Sequence, residues 1–193
     1  LETGFIATKD QAIQNSLPFM PLKKGKEYYY CDGMDYLDEG DKEKAKRCFK
    51  KAIEIDDEFV DAYNGLGTAY FWDNLPKAKE YFQKSYELTK AHFKNKWPKE
   101  INWGIPENRQ YLRSIHYRGL ALWKEGKNEE AMELFKLLLD LNKHDNQGAR
   151  YLVAELYAGL KYKEIEEDLE KEEKLLQEQN RKHKFWKQDS SDQ

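Results

Sequence analysis

The sequence predicts an all-α solenoid of about four helical hairpins, and three observations predict it. Between Lys26 and Asp57, Gly33 and Tyr36 precede a turn at Glu39, Gly40 and Asp41, and Ala45, Phe49 and Ala52 follow it at helical spacings. The pattern restarts at Val60, with Gly67 and Tyr70 standing 34 residues after Gly33 and Tyr36. Charged residues make up 36% and hydrophobic ones 39%, a balance that suits amphipathic helices better than a sheet protein. A period of this length is that of hairpins which bury their apolar faces only against each other.

In chain order, residues 1–25 read as an N-terminal capping segment. A short helix there ends before Pro18 and Pro21, and Phe5, Ile6, Leu17, Phe19 and Met20 supply a lid for the first hairpin. Repeats one and two occupy 26–92. Asp57 is expected to end one helix and cap the next, and Pro76 to sit in the first turn of its helix. The period then breaks at 93–111, where Trp97, Pro98, Trp103, Gly104 and Pro106 exclude one continuous helix. This insertion either covers the seam between repeat pairs or folds across a groove as a gate. The seam is favoured, because two exposed tryptophans invite aggregation. Repeats three and four occupy 112–178. Gly119, Gly126, Ala131 and Phe135 are in register, and Gly159 marks the last turn. Residues 179–193 form a charged tail.

Small residues where helix backbones meet, with aromatics beside them, resemble the tetratricopeptide repeat (TPR) family over about 150 of 193 residues. Trp103-Gly104, Asn108-Arg109-Gln110-Tyr111 and Asp145-Asn146-Gln147-Gly148 are further similar to a subgroup of prokaryotic TPR proteins, with which no settled activity goes. The resemblance implies a right-handed α-α superhelix whose concave groove is lined by the first helix of each repeat. Carried over residue by residue, the groove positions include Tyr30 in repeat one and Asn64, Phe71 and Trp72 in repeat two. Repeat three supplies Arg113, His116 and Trp123, and repeat four Arg150 and Tyr157. Acids (Glu27, Asp38, Asp61) lie towards the start of this groove and cations towards its end. Aromatic walls with arginines suit a peptide segment of a partner protein. A TPR subset clamps chaperone tails with Lys, Asn, Asn, Lys and Arg. Tyr30, Met34, Gly65, Arg113 and Tyr117 stand at those places, and only Arg113 keeps the charge, which argues against that ligand.

Other chemistries find little support. The four histidines fall in no metal-ligand spacing, neither cysteine has a CxxC partner, and no Gly-rich phosphate loop occurs, so neither catalytic residue, cofactor nor metal is expected. Binding of single-stranded nucleic acid through Trp72, Trp123 and Arg150 is the alternative. A net charge of −3 and the acids of the same groove weigh against it. No apolar run approaches the roughly 20 residues that cross a bilayer, and no secretory signature is visible, so a cytoplasmic location without membrane contact is the expectation. Cys31 and Cys48 are then expected as buried, reduced thiols.

Overall fold

The computed structural model describes residues 24–168, 170–171 and 174–176. Almost all of the expected capping segment, and all of the tail, lie outside the described residues. Within them the regular structure is helical: α1 (Lys26–Asp38), α2 (Lys42–Ile55), α3 (Val60–Tyr70), α4 (Leu75–His92), a 3-10 turn (Pro106–Asn108), α5 (Arg109–Lys124), α6 (Asn128–Leu141) and α7 (Ala149–Tyr157). A last helical stretch, α8, covers 162–168.

Local chemistry sets the turns. Asp41 accepts the Lys44 backbone N–H at 3.0 Å and caps α2, and Asn74 does the same for α4 through the Lys77 N–H at 3.1 Å. Gly40 (φ +82°) and Gly159 (φ +77°) take the left-handed conformation that lets a helix stop and reverse. Asp57 departs from expectation. Asp56 is the C-cap residue of α2 and Phe59 the N-cap of α3, while the Asp57 carbonyl accepts the Tyr63 hydroxyl at 3.0 Å.

Successive helices pack as hairpins, α1 on α2, α3 on α4 and α5 on α6, and each hairpin packs on the next. First helices also touch one another, α1 with α3 and α3 with α5, which builds a continuous inner face. The spacing comes from phenylalanine rings seated on glycines. A Cβ on Gly33 or Gly65 would lie 2.5 Å from Phe49, one on Gly119 2.5 Å from Phe135, and one on Gly67 2.2 Å from Phe82. Phe49, Phe82 and Phe135 are fully buried there. Phe49 meets glycines of both α1 and α3, so one ring joins two hairpins.

The insertion is held down. Lys94 and Asn95 adopt positive φ, and the Asn95 N–H donates to the Lys90 carbonyl at 2.7 Å, ending α4. Ile101 is buried, and its N–H donates to the Leu141 carbonyl at 2.7 Å, tying the segment to the end of α6. Trp97 and Trp103 are half-buried against the same apolar cluster. The Trp103 carbonyl accepts Arg109 Nε at 3.0 Å, and α5 starts at this arginine rather than at Leu112. The cysteines also differ from expectation: both are free, but Cys31 is exposed and Cys48 only half-buried.

The glycine seats can be tested directly. Gly67→Ala gains up to about 1 kcal/mol of helix propensity but forces the buried Phe82 ring aside, an overpacking cost of about 1–3 kcal/mol. A net loss of stability is expected, read as a lower urea midpoint at unchanged slope.

Candidate functional site

The inner face divides into two parts of different character. Towards the C-terminal ends of α3 and α5, the chain covers its own surface. Tyr162, at the start of α8, lies edge-on to Phe71 (centroids 5.8 Å apart) and to Trp123 (5.6 Å). The Trp123 indole N–H donates to the Leu160 carbonyl at 3.2 Å, and Lys124 reaches Glu166 at 2.7 Å. The Lys124 ammonium also sits 4.2 Å from the centre of the Trp72 ring and 4.9 Å from that of Phe71. What stays open is a hollow of about 160 Å³ between Thr68, Trp72, Tyr117, Leu120 and Tyr162.

Towards the N-terminal ends of the same helices lies an open cleft of about 670 Å³. Its floor is the start of α3, with its N-cap residue Phe59 followed by Val60 and Asp61. One wall is α1, with Lys26, Glu27, Tyr30 and Cys31, and the other is the 3-10 turn and the start of α5, with Glu107, Gln110 and Tyr111. Tyr111 stacks on His92 (4.3 Å, 20°) and its hydroxyl lies 3.1 Å from His92 Nδ1, which stiffens that wall. Tyr30 packs on Phe59 (5.7 Å) and Phe49 (6.0 Å), and burial pushes its hydroxyl well above the usual phenol range.

The nine residues anticipated for a groove are therefore scattered among different roles. Tyr30 lines the cleft. Asn64 is buried beside it, with its amide donating to the Gln110 carbonyl at 3.2 Å. Arg113 is not free to meet a ligand carboxylate. Its Nε and Nη2 hold Asp61 from both sides, at 3.0 and 2.6 Å, a bidentate pair that removes the cost of placing the guanidinium between α3 and α5. Phe71 and Trp123 are buried, 6% and 2% exposed, under Tyr162. Trp72 remains half open beneath Lys124. Arg150 Nε is bound to Asp145 at 2.8 Å, and Tyr157 is exposed on α7 with Lys136 5.0 Å from its ring centre.

His116 faces inward, against Tyr117 (5.7 Å) and Phe135 (6.1 Å). Its Nδ1 is buried and finds no hydrogen-bond partner among the described residues. Burial lowers its pKa to about 4, and Asp145 partly opposes the shift. Among the described residues no three His, Cys, Asp or Glu side chains are grouped to hold a metal, and no helix is long and apolar enough to cross a membrane.

Sequence reasoning missed Phe59, Glu58, Glu107 and Tyr162. Glu58 and Phe59 close repeat one, outside its first-helix positions, and Glu107 lies in the insertion. For Tyr162, a tyrosine just after a turn glycine carries no signal of where it will dock.

Known proteins agree with this architecture. Family models match the chain twice, one described as TPR repeat over residues 33–72 and one as tetratricopeptide repeat over residues 112–145. Among solved structures, the first TPR of Spaghetti (RPAP3) bound to HSP90 peptide SRMEEVD is 19% identical. The match covers 69% of this chain and 94% of that one, with a TM-score of 0.55. The first TPR domain of human RPAP3 is also 19% identical, over 69% and 90% of the two chains, with a TM-score of 0.54. At this identity the likeness is one of fold. No curated protein matches the chain.

The buried histidine makes stability depend on pH. Folded His116 stays neutral down to about pH 4, whereas in the unfolded chain it takes up a proton below about 6.5. Its share of stability is present above pH 6.5 and is lost as pH falls from there to about 4, at most about 3 kcal/mol given its residual exposure. Urea unfolding of wild type between pH 7 and 4 should show this loss, and His116→Leu should flatten that part of the curve.

Proposed function

We propose that this tetratricopeptide-repeat protein is a non-catalytic interaction module that takes an extended segment of a partner protein into the cleft between α1, α3 and α5. The observation that carries the reading is the division of the inner face. One half is filled by the chain's own Tyr162, and the other stays open as a cleft of about 670 Å³ walled by Tyr30, Phe59 and Tyr111. That volume accommodates a few residues of peptide, and aromatic walls supply contact area at low entropic cost. With two or three partly buried anchors, affinity in the micromolar range is expected.

The similar Spaghetti domain is bound to the HSP90 peptide SRMEEVD, an acidic segment. Here the one cation in clamp position, Arg113, is occupied by Asp61, so a ligand of that kind has no ready anchor. The nucleic-acid alternative loses two of its residues, since Trp123 is buried and Arg150 is bound to Asp145.

Cys31 provides the test, because it is exposed and lines the cleft. Short random peptides displayed on phage are panned against the protein, and binders are measured for protection of Cys31 from maleimide in a Cys48→Ser background. Binders that slow Cys31 labelling severalfold are the expected result. Binders that leave its labelling unchanged would move the peptide site elsewhere.

A further inference from the structure

We infer that the segment this cleft takes is basic, seating a lysine or arginine side chain between Glu27, Glu58 and Glu107; the inference rests on the peptide-binding reading above. Five carboxylates line the cleft: Glu27, Asp56, Glu58, Asp61 and Glu107. Two of them are already matched, Asp56 by Lys26 and Asp61 by Arg113. Glu27 shares Lys26 at 3.9 Å, a weak contact, since that ammonium is held closer by Asp56. Glu58 and Glu107 are exposed.

A competing account is that these acids merely face helix N-termini. The first turns of α1, α3 and α5 all border the cleft, and none of the three has a side-chain cap. Each contributes about half a positive charge. Set against three carboxylates without a close partner among the described residues, three such termini leave roughly one to two negative charges, so the dipoles reduce the acidity without cancelling it. The same dipoles would favour an anion, and the carboxylates stand where that anion would go.

Single exposed charges contribute little on their own. In a cleft with aromatic walls their fields add, and a cation entering it also meets the rings of Tyr30 and Tyr111, while the Phe59 ring already carries the Lys26 ammonium at 4.9 Å. A Lys or Arg side chain satisfies both features, with its stem on the rings and its head among the carboxylates. The chemistry is thus the reverse of an acidic-tail clamp.

The experiment uses three fluorescein-labelled probe peptides of equal length, alternating Lys/Tyr, Ser/Tyr and Glu/Tyr, measured by polarisation on the full chain at low salt. Binding of the Lys/Tyr peptide about tenfold tighter than the Ser/Tyr peptide is expected, with the Glu/Tyr peptide weakest. Raising salt to about 0.5 M should remove most of the difference. A Glu27→Gln/Glu107→Gln double variant, which spares Asp56 and Asp61 and so keeps both ion pairs, should bring Lys/Tyr binding down to the Ser/Tyr level. Its Ser/Tyr affinity should stay unchanged. Equal binding of all three peptides with Cys31 protected overturns the charge inference and leaves the peptide cleft standing. Tight Lys/Tyr binding that neither protects Cys31 nor responds to the double variant overturns the charge inference as well, by placing the basic ligand on another surface. No protection of Cys31 by any of the peptides overturns both readings.

Discussion

Everything in this structure depends on how close two helix axes come, and a phenylalanine ring on a bare glycine backbone decides that distance. Phe49, Phe82 and Phe135 each occupy the space that a first-helix Cβ would need. Because Phe49 covers Gly33 and Gly65 together, the contact works within a hairpin and between hairpins. A methyl group at any of these glycines would either push the ring off its rotamer or part the helices. Helices brought this close bury apolar surface both within a hairpin, as α5 and α6 do around Phe135, and between hairpins, as Phe82 does against Tyr117.

Close stacking creates a second requirement where repeat two meets repeat three. The period is interrupted there, so α3 and α5 lie side by side although 52 residues separate Asp61 from Arg113. This seam is polar. Arg113 grips Asp61, Asn64 reaches the Gln110 carbonyl, and Thr89 meets Ser114 through their hydroxyls at 2.7 Å. Polar groups placed this deep are costly when unpartnered, as Asn64 Oδ1 is among the described residues, and a bidentate pair with defined geometry also fixes register. Ile101, hydrogen-bonded to the end of α6, fastens the intervening segment to the same unit.

The inner face built this way is only partly available. Lys124 gathers Trp72, Phe71, Tyr162 and Glu166 around one ammonium, closing the aromatic end. Among the described residues the opposite end stays open as the cleft between α1 and the starts of α3 and α5. On the proposed reading, ligand chemistry is weighed at the helix N-termini, where carboxylates and backbone dipoles compete, and not along the aromatic stripe.

The sequence by itself determined the helices, their turns and the hairpin stacking. Spacings of three and four, Gly40 and Gly159 at reversals, and a phenylalanine in step with a glycine are short-range patterns that act within one or two hairpins. Tertiary structure alone decided which groove residues are free. Arg113 stands at a groove position by repeat register, and its partner is Asp61 of the preceding repeat. Phe71 and Trp123 stand at groove positions that suit either packing or contact with a ligand, and Tyr162 covers both. Charge pairing across 52 residues and the docking of a late helix on an earlier face depend on how whole elements sit relative to one another. Local periodicity carries no information about that placement.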